Sequence, residues 1–337
     1  MKKTILSILG GAVLVAGAGA QTLINGAGST FDYPAFSKWF EVYQNDHPDV
    51  RFNYSSIGSG GGQKQLLDQT VAFGASDAPM TDEAMANSKN GKILHFPIVA
   101  GGVALIYNLP GDPKIKLNGD TIAGIYLGNI TEWNDPKIAA LNPGVDLPDL
   151  AIVPVHRTEG SGTTYIFTDY LSAVNPAWAD RVGKNVSVKW PAGIGLGAKG
   201  TEGVAGQVQQ TSGAIGYGEL AYADQSKIPY ADVKNSSGNY VSPAPASVSA
   251  ALATVNIPDD FRFSMVNPPG ADAYPIAGAS WIVVYQNQKD PVIGRKLVDF
   301  LKWAITDGQK ISATLDYAPL PEKLQQRELK QLDTIKD

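Results

Sequence analysis

Three loops built from glycine, serine and threonine each run straight into a helical repeat, and any fold for this chain must position all three. The first is Gly26-Ala27-Gly28-Ser29-Thr30-Phe31, followed by Phe36, Trp39, Phe40 and Tyr43 at the i, i+3, i+4, i+7 spacing of one helical face. The second is Gly58-Ser59-Gly60-Gly61-Gly62, followed by Leu66 and Leu67. The third is Arg157-Thr158-Glu159-Gly160-Ser161-Gly162-Thr163-Thr164, followed by Phe167, Tyr170, Leu171 and Val174. The aromatic stripes are read as core-facing. A helix N-terminus carries unpaired N–H groups and the positive end of the helix dipole, so a small-residue turn there lets an anion approach the backbone. One such loop is more often a helix cap than a ligand site. Three of them, one with an arginine, point to a buried tetrahedral oxyanion held by many hydrogen bonds.

Strand-like and helix-like segments alternate, which argues an α/β fold. Val50, Phe52, Tyr54 and Ile57 mark a strand over 50–57. Two segments resemble each other: Pro97-Ile98-Val99-Ala100-Gly101-Gly102-Val103-Ala104-Leu105-Ile106-Tyr107-Asn108 and Pro275-Ile276-Ala277-Gly278-Ala279-Ser280-Trp281-Ile282-Val283-Val284-Tyr285-Gln286-Asn287. Each has a proline start, a small-residue stretch and a buried strand ending in Tyr. They read either as two unrelated core strands or as a pair crossing out and back between two lobes. The second reading makes one lobe discontinuous, 21–100 plus 275–337, with 101–274 as the other. Leu297, Phe300, Leu301 and Ala304 predict a helix stopping near Gly308, and Pro321 opens another with Leu324, Leu329 and Leu332. Residues 225–262, polar and partly Pro/Ser-rich, are expected as a surface excursion on the second lobe.

The chain's 337 residues suffice for two ordinary domains, and 18% charged residues with a net charge of −5 show no basic stripe for nucleic acid. Lys2 and Lys3, an apolar stretch from Ile5 to Ala16 and Ala18-Gly19-Ala20 read as a cleavable secretory signal over 1–20, cut after Ala20. The apolar stretch is too short for a full span. With no cysteine the chain is neither disulfide-stapled nor lipid-anchored through Cys, which favours a soluble periplasmic protein.

Enzyme signatures are mostly missing. There is no Gly-x-x-x-x-Gly-Lys-Ser/Thr, and neither Ser59 nor Ser161 lies in Gly-x-Ser-x-Gly. His47, His95 and His156 are scattered, none spaced for zinc. On a strand His156 points to the opposite face from Arg157. Gly195-Leu196-Gly197-Ala198-Lys199-Gly200 matches Gly-x-Gly-x-x-Gly, but Trp190-Pro191 upstream is a poor strand end for a dinucleotide fold, so it is read as a structural turn before a helix starting near Thr201. No catalytic residue, metal or cofactor is assigned.

Gly26–Phe31, Ile57–Gly62, Gly74-Ala75-Ser76-Asp77-Ala78-Pro79 and Arg157–Thr163 resemble the signature segments of the periplasmic phosphate-binding proteins of high-affinity phosphate ABC transporters. Ile125-Tyr126-Leu127-Gly128, Lys189-Trp190-Pro191, Gly213-Ala214-Ile215-Gly216-Tyr217 and Leu315-Asp316-Tyr317-Ala318 extend the similarity over nearly the whole mature chain. The resemblance implies a two-lobe, hinged periplasmic binding-protein fold of type II. Each lobe would be a central mixed sheet flanked by helices, with two crossover strands and phosphate in the cleft. It implies phosphate contacts from Thr30, Phe31, Ser59, Arg157, Ser161, Gly162 and Thr163, with Glu159 supporting Arg157. Asp77 would accept a hydrogen bond from a protonated phosphate oxygen. It also implies a monomer that delivers inorganic phosphate to the permease and ATPase of an ABC importer. The chain departs from the family pattern at Glu159, where Asp is frequent, at Gly60, where Ser is common, and at Asp32-Tyr33, where Pro usually follows Phe. A secreted phosphatase-like enzyme on the same fold, and a binding protein for another oxyanion such as a phosphonate, stay open as alternatives.

Overall fold

The computed structural model describes residues 21–191 and 193–336; the expected signal segment lies outside them. Among the described residues, eleven strands and their connecting helices form an α/β fold. The strands are β1 (Thr22–Gly28), β2 (Val50–Ser56), β3 (Phe73–Ser76), β4 (Ile93–Tyr107), β5 (Lys116–Leu117), β6 (Val153–Arg157), β7 (Leu196–Ala198), β8 (Ala214–Glu219), β9 (Asp232–Lys234), β10 (Tyr240–Val241) and β11 (Ala277–Tyr285). Eight of them build one mixed sheet in the order β2-β1-β3-β11-β4-β8-β6-β7. The short β10-β9-β5 ribbon stands apart.

β4 joins the two lobes. All fifteen of its residues are buried. Up to Gly102 it pairs antiparallel with β11, and from Val103 to Tyr107 it pairs with β8. Its continuous apolar run suits a strand covered on both faces. β11 begins opposite Gly102, while Ile276 and Tyr274 just before it hydrogen-bond the backbone of Val103. Both sequence-matched segments therefore lie at the centre of the sheet.

Parallel pairing explains where the loops go. β1 runs parallel to β2 and β3, with Gly28 opposite both Ser56 and Ala75. Parallel neighbours require a crossover, which the helix Tyr33–Asp46 supplies between β1 and β2. The loops after β1, β2 and β3 thus leave from one edge, side by side. On the other half β6 runs parallel to β7, with Arg157 opposite Ala198, so the loops after these strands also meet.

The aromatic stripes are core, as expected. Phe36, Trp39, Phe40 and Tyr43 are buried, and Phe40 stacks on Phe52 at 4.4 Å between ring centroids. Phe300, from the helix Pro291–Ile305, closes on Phe52 at 4.5 Å. Each such ring buried contributes roughly 1.5–3 kcal/mol. The expected surface excursion over 225–262 is corrected. Val248, Ala251 and Leu252 of the helix Pro245–Leu252 are buried against Leu66, Met80 and Trp281, and Phe261 O accepts from Trp281 Nε1 at 2.7 Å. The Pro/Ser-rich composition hid a short apolar helix face. The Gly-x-Gly-x-x-Gly stretch is also more than a turn: it forms edge strand β7 and then enters the helix Gly200–Gln210.

Candidate functional site

The loops after β1, β2, β3 and β6 converge with the start of the helix Gly200–Gln210, and the polar side chains at the centre of the junction are out of solvent. Thr30, Asp77 and Arg157 expose only 2%, 2% and 3% of their surface. Ser29, Phe31, Asp32, Ser59, Ser161, Thr163 and Ser280 expose none. The two halves touch through backbone: Gly60 N donates to Gly160 O at 2.9 Å. Gly58 caps the helix Ser59–Leu67 at φ +89, and a Cβ there would lie 2.7 Å from Gly160 O. Only glycine combines that dihedral with so close an approach.

Arg157 sits at the end of β6 with its guanidinium used on both edges. Nε donates to Glu159 Oε1 at 2.8 Å, and Nη2 reaches the same oxygen. Glu159 Oε1 also accepts from Gly200 N at 3.1 Å. Burial works to raise the Glu159 carboxyl, but the hydrogen bond and charge of Arg157 outweigh it and hold the group below the usual range. The other edge of the guanidinium faces three threonines: Thr30 Oγ1 at 3.0 Å, Thr201 Oγ1 at 3.2 Å and Thr163 Oγ1 at 3.4 Å. Thr30 and Thr201 hydroxyls are themselves 3.0 Å apart, across the interface of the halves. Tyr217 Oη accepts from Arg157 N and bonds Thr164 Oγ1, fixing β6 to the helix Gly162–Val174.

Asp77 follows β3. Its Oδ1 accepts from Ser29 Oγ at 2.6 Å and lies 2.7 Å from Ser280 Oγ. Its N–H donates to Ser59 Oγ at 3.1 Å, which leaves the Ser59 proton available. Oδ2 is aimed at the start of the helix Gly162–Val174: a Cβ on Gly162 would meet it at 2.5 Å and Ser59 Oγ at 2.4 Å. Burial pushes the Asp77 carboxyl up to about 6, held back by the Ser29 and Ser280 hydroxyls and the Arg157 charge.

Thr30, Ser59, Asp77, Arg157, Gly162 and Thr163 are thus brought together, with Glu159 behind Arg157. Ser161 caps its helix, Oγ accepting from Thr164 N at 3.1 Å, with its proton available. Phe31 differs from expectation in one respect: its N–H is committed to Ser29 Oγ at 2.9 Å, while its ring packs into the core. His156 turns away from Arg157, as strand alternation predicts, and stacks on Trp190 at 4.7 Å.

Four contributors escape a reading of the sequence. Ser29 stands inside the first loop but reads only as a cap. Thr201 follows a glycine motif that reads as a turn. Ser280 lies on β11 at the Ser280/Trp281 irregularity, reachable only through the pairing of Trp281 with Ser76. Asp32 reads as a helix-dipole residue in the first turn. It precedes the helix Tyr33–Asp46 without a side-chain cap bond, and it turns inward to Ser280 Oγ at 2.7 Å.

Comparison with known proteins gives this geometry a context. A model of the PBP superfamily domain matches residues 15–308. The phosphate-binding protein PstS of Pasteurella multocida is 42% identical over 312 residues, covering 91% of this chain and 89% of that one. PstS of Methanocaldococcus jannaschii is 35% identical over 338 residues, covering 94% and 87%. Among solved structures, a high-affinity periplasmic phosphate-binding protein with bound phosphate is similar at a TM-score of 0.74 and 24% identity, covering 90% of this chain and 92% of that one. The phosphate-binding protein from Stenotrophomonas maltophilia follows at 0.68 and 22%, covering 92% and 94%. At these identities the solved structures establish the shared two-lobe fold.

Proposed function

The chain belongs to the phosphate-binding protein family PstS, and on that premise we propose that it captures inorganic phosphate between its lobes and hands it to an ABC-type importer. The observation that carries the reading is the pairing of one buried acceptor with many donors. Arg157, the hydroxyls of Thr30, Ser59, Ser161 and Thr163, and the backbone at the start of the helix Gly162–Val174 can donate to oxyanion oxygens. Asp77 Oδ2 can only accept while ionised, so the anion must carry a proton. Phosphate does at neutral pH; sulfate does not, and it would face the carboxylate with no proton between them. The Phe31 N–H joins this set if it leaves Ser29 on binding.

We assign residues 21–100 with 275–337 to one lobe and 101–274 to the other, except that the helix Pro245–Leu252 and the stretch to Met265 pack on Leu66, Met80 and Trp281 of the first, with Arg157 to Thr163 facing Thr30, Ser59 and Asp77 across the cleft. Export through the 1–20 signal, a periplasmic location, a monomeric state and delivery to permease and ATPase subunits complete the proposal. Ser161 is engaged as a helix cap, which fits a binding role better than a nucleophilic one. Titration of phosphate-stripped protein with phosphate, sulfate and a phosphate ester tests it. Tight phosphate binding, weak sulfate binding and no ester turnover are expected; ester hydrolysis lost in Ser161→Ala would replace this reading with an enzymatic one.

A further inference from the structure

Ser280 Oγ lies 2.7 Å from Asp32 Oδ2 and 2.7 Å from Asp77 Oδ1, and it has one proton to give. Two ionised carboxylates cannot both take it. One of the three oxygens would then face another at 2.7 Å with no proton between, in a dry site where that arrangement is costly. A second proton resolves it, in the order Asp32 Oδ2–H to Ser280 Oγ, then Ser280 Oγ–H to Asp77 Oδ1.

The neighbours say which carboxyl holds that proton. Asp77 has a second hydroxyl, Ser29, and the Arg157 charge nearby. Asp32 has neither. Tyr54 Oη gives its proton to Ser29 O at 2.7 Å and stays 3.4 Å from Asp32 Oδ1. The Arg157 guanidinium is paired with Glu159 and acts on Asp77, not on Asp32. The titratable groups facing the pair are Tyr54 from β2, Arg157 from β6, Tyr222 from the helix Leu220–Ser226, and Tyr317, with Glu219 and Glu202 behind the last two. Burial holds all three tyrosines above their ordinary range, so they stay neutral. Burial, and then the Asp77 charge, likewise raise Asp32 well above the usual carboxylate range.

We propose that Asp32 is a neutral carboxylic acid that donates through Ser280 into Asp77, a positioning and specificity-determining residue that keeps Asp77 Oδ2 a phosphate-proton acceptor. The role rests on the phosphate reading above. Loss of the Asp32 proton in alkali would draw the Ser280 proton away from Asp77 and add a second negative charge beside the bound anion.

The test is phosphate affinity by calorimetry from neutral to alkaline pH in wild type and Asp32→Asn, whose amide always offers a donor to Ser280. Wild type should lose ~10-fold in affinity per pH unit beyond the Asp32 titration, as expected for one required proton. Asp32→Asn should lack that limb. Coincident profiles, or a folded Asp32→Asn protein that binds no phosphate at neutral pH, would overturn the proposal. A second readout needs no substitution: carbon NMR of wild type labelled at aspartate carboxyls should show one aspartate still protonated at mildly alkaline pH. Its absence overturns the proposal even where Asp32→Asn fails to fold. If wild type binds no phosphate at any pH, the phosphate reading fails by itself, while the NMR signal still decides where the proton rests.

Discussion

Asp77 illustrates how one carboxylate can decide between two anions of the same shape. Its Oδ1 is satisfied by serine hydroxyls, so selectivity falls on Oδ2, which points at the helix start across the cleft. Asp77→Asn converts that oxygen's position into one that can donate. The substitution is expected to erase discrimination against sulfate, an effect that can reach ~10⁴–10⁵-fold where a buried polar group is otherwise unpaired. Competition calorimetry with both anions measures it, and an undiminished preference for phosphate would refute the role. Wild type should show a milder version in acid. Its carboxyl titrates at about 6, above the ordinary value, so as pH falls through 6 the group gains a proton and can donate to sulfate. Sulfate should therefore compete better at about pH 5 than at about pH 8 in wild type, and equally at both in Asp77→Asn.

Among the elements, the ones with a strong period are legible in the sequence and those defined by a partner are not. Phe36, Trp39, Phe40 and Tyr43 mark their helix because residues at that spacing share one face only when the backbone is helical. The helix Pro245–Leu252 stays hidden because alanine and serine carry little contrast, although Val248, Ala251 and Leu252 bury a real face. Ser280 is invisible for a different reason: its chemistry depends on the register of β11 against β3, which no local pattern records. The helix Glu322–Leu332 shows a subtler misreading. Leu324, Leu329 and Leu332 mark it, yet the buried stripe is Leu324, Glu328 and Leu332. Neither carboxyl oxygen of Glu328 has a hydrogen-bond partner among the described residues. Burial raises Glu328 well above the usual range, only partly offset by Arg327. A carboxyl raised on folding binds more protons in the folded state, so its contribution to stability falls as pH rises from the ordinary carboxylate value toward the folded one. Glu328→Met should thus stabilise the protein by about 1–3 kcal/mol at mildly alkaline pH, the desolvation cost of an unpaired buried group. The gain should shrink in acid. Urea melts at the two pH values check it, and an equal gain at both would show that ionisation is not the cause.

At the level of the whole molecule, the sheet that unites the chain also divides its labour. β4 serves both lobes, changing partners from β11 to β8 between Gly102 and Val103, so relative motion of the lobes must bend that strand. Around the site the lobes meet through short-range contacts: Gly60 N to Gly160 O, Thr30 with Arg157, Thr201 and Tyr222, and Gly162 laid against Ser59 and Asp77. Closure is therefore sensitive to a single added methyl group. Gly162 lies within the helix Gly162–Val174, where alanine is favoured over glycine. Gly162→Ala should leave the lobe that carries it folded, yet its Cβ would fall 2.4 Å from Ser59 Oγ and 2.5 Å from Asp77 Oδ2. Those contacts push the lobes apart and cannot be relieved while both loops hold their places. Apparent affinity scales with the fraction of molecules that can close, so displacing that equilibrium by ~1.4 kcal/mol or more weakens phosphate binding at least ~10-fold. Small-angle X-ray scattering in saturating phosphate should show Gly162→Ala more extended than wild type, with its thermal unfolding little changed. A variant that binds weakly but scatters like wild type would place the loss in the missing backbone geometry and not in closure.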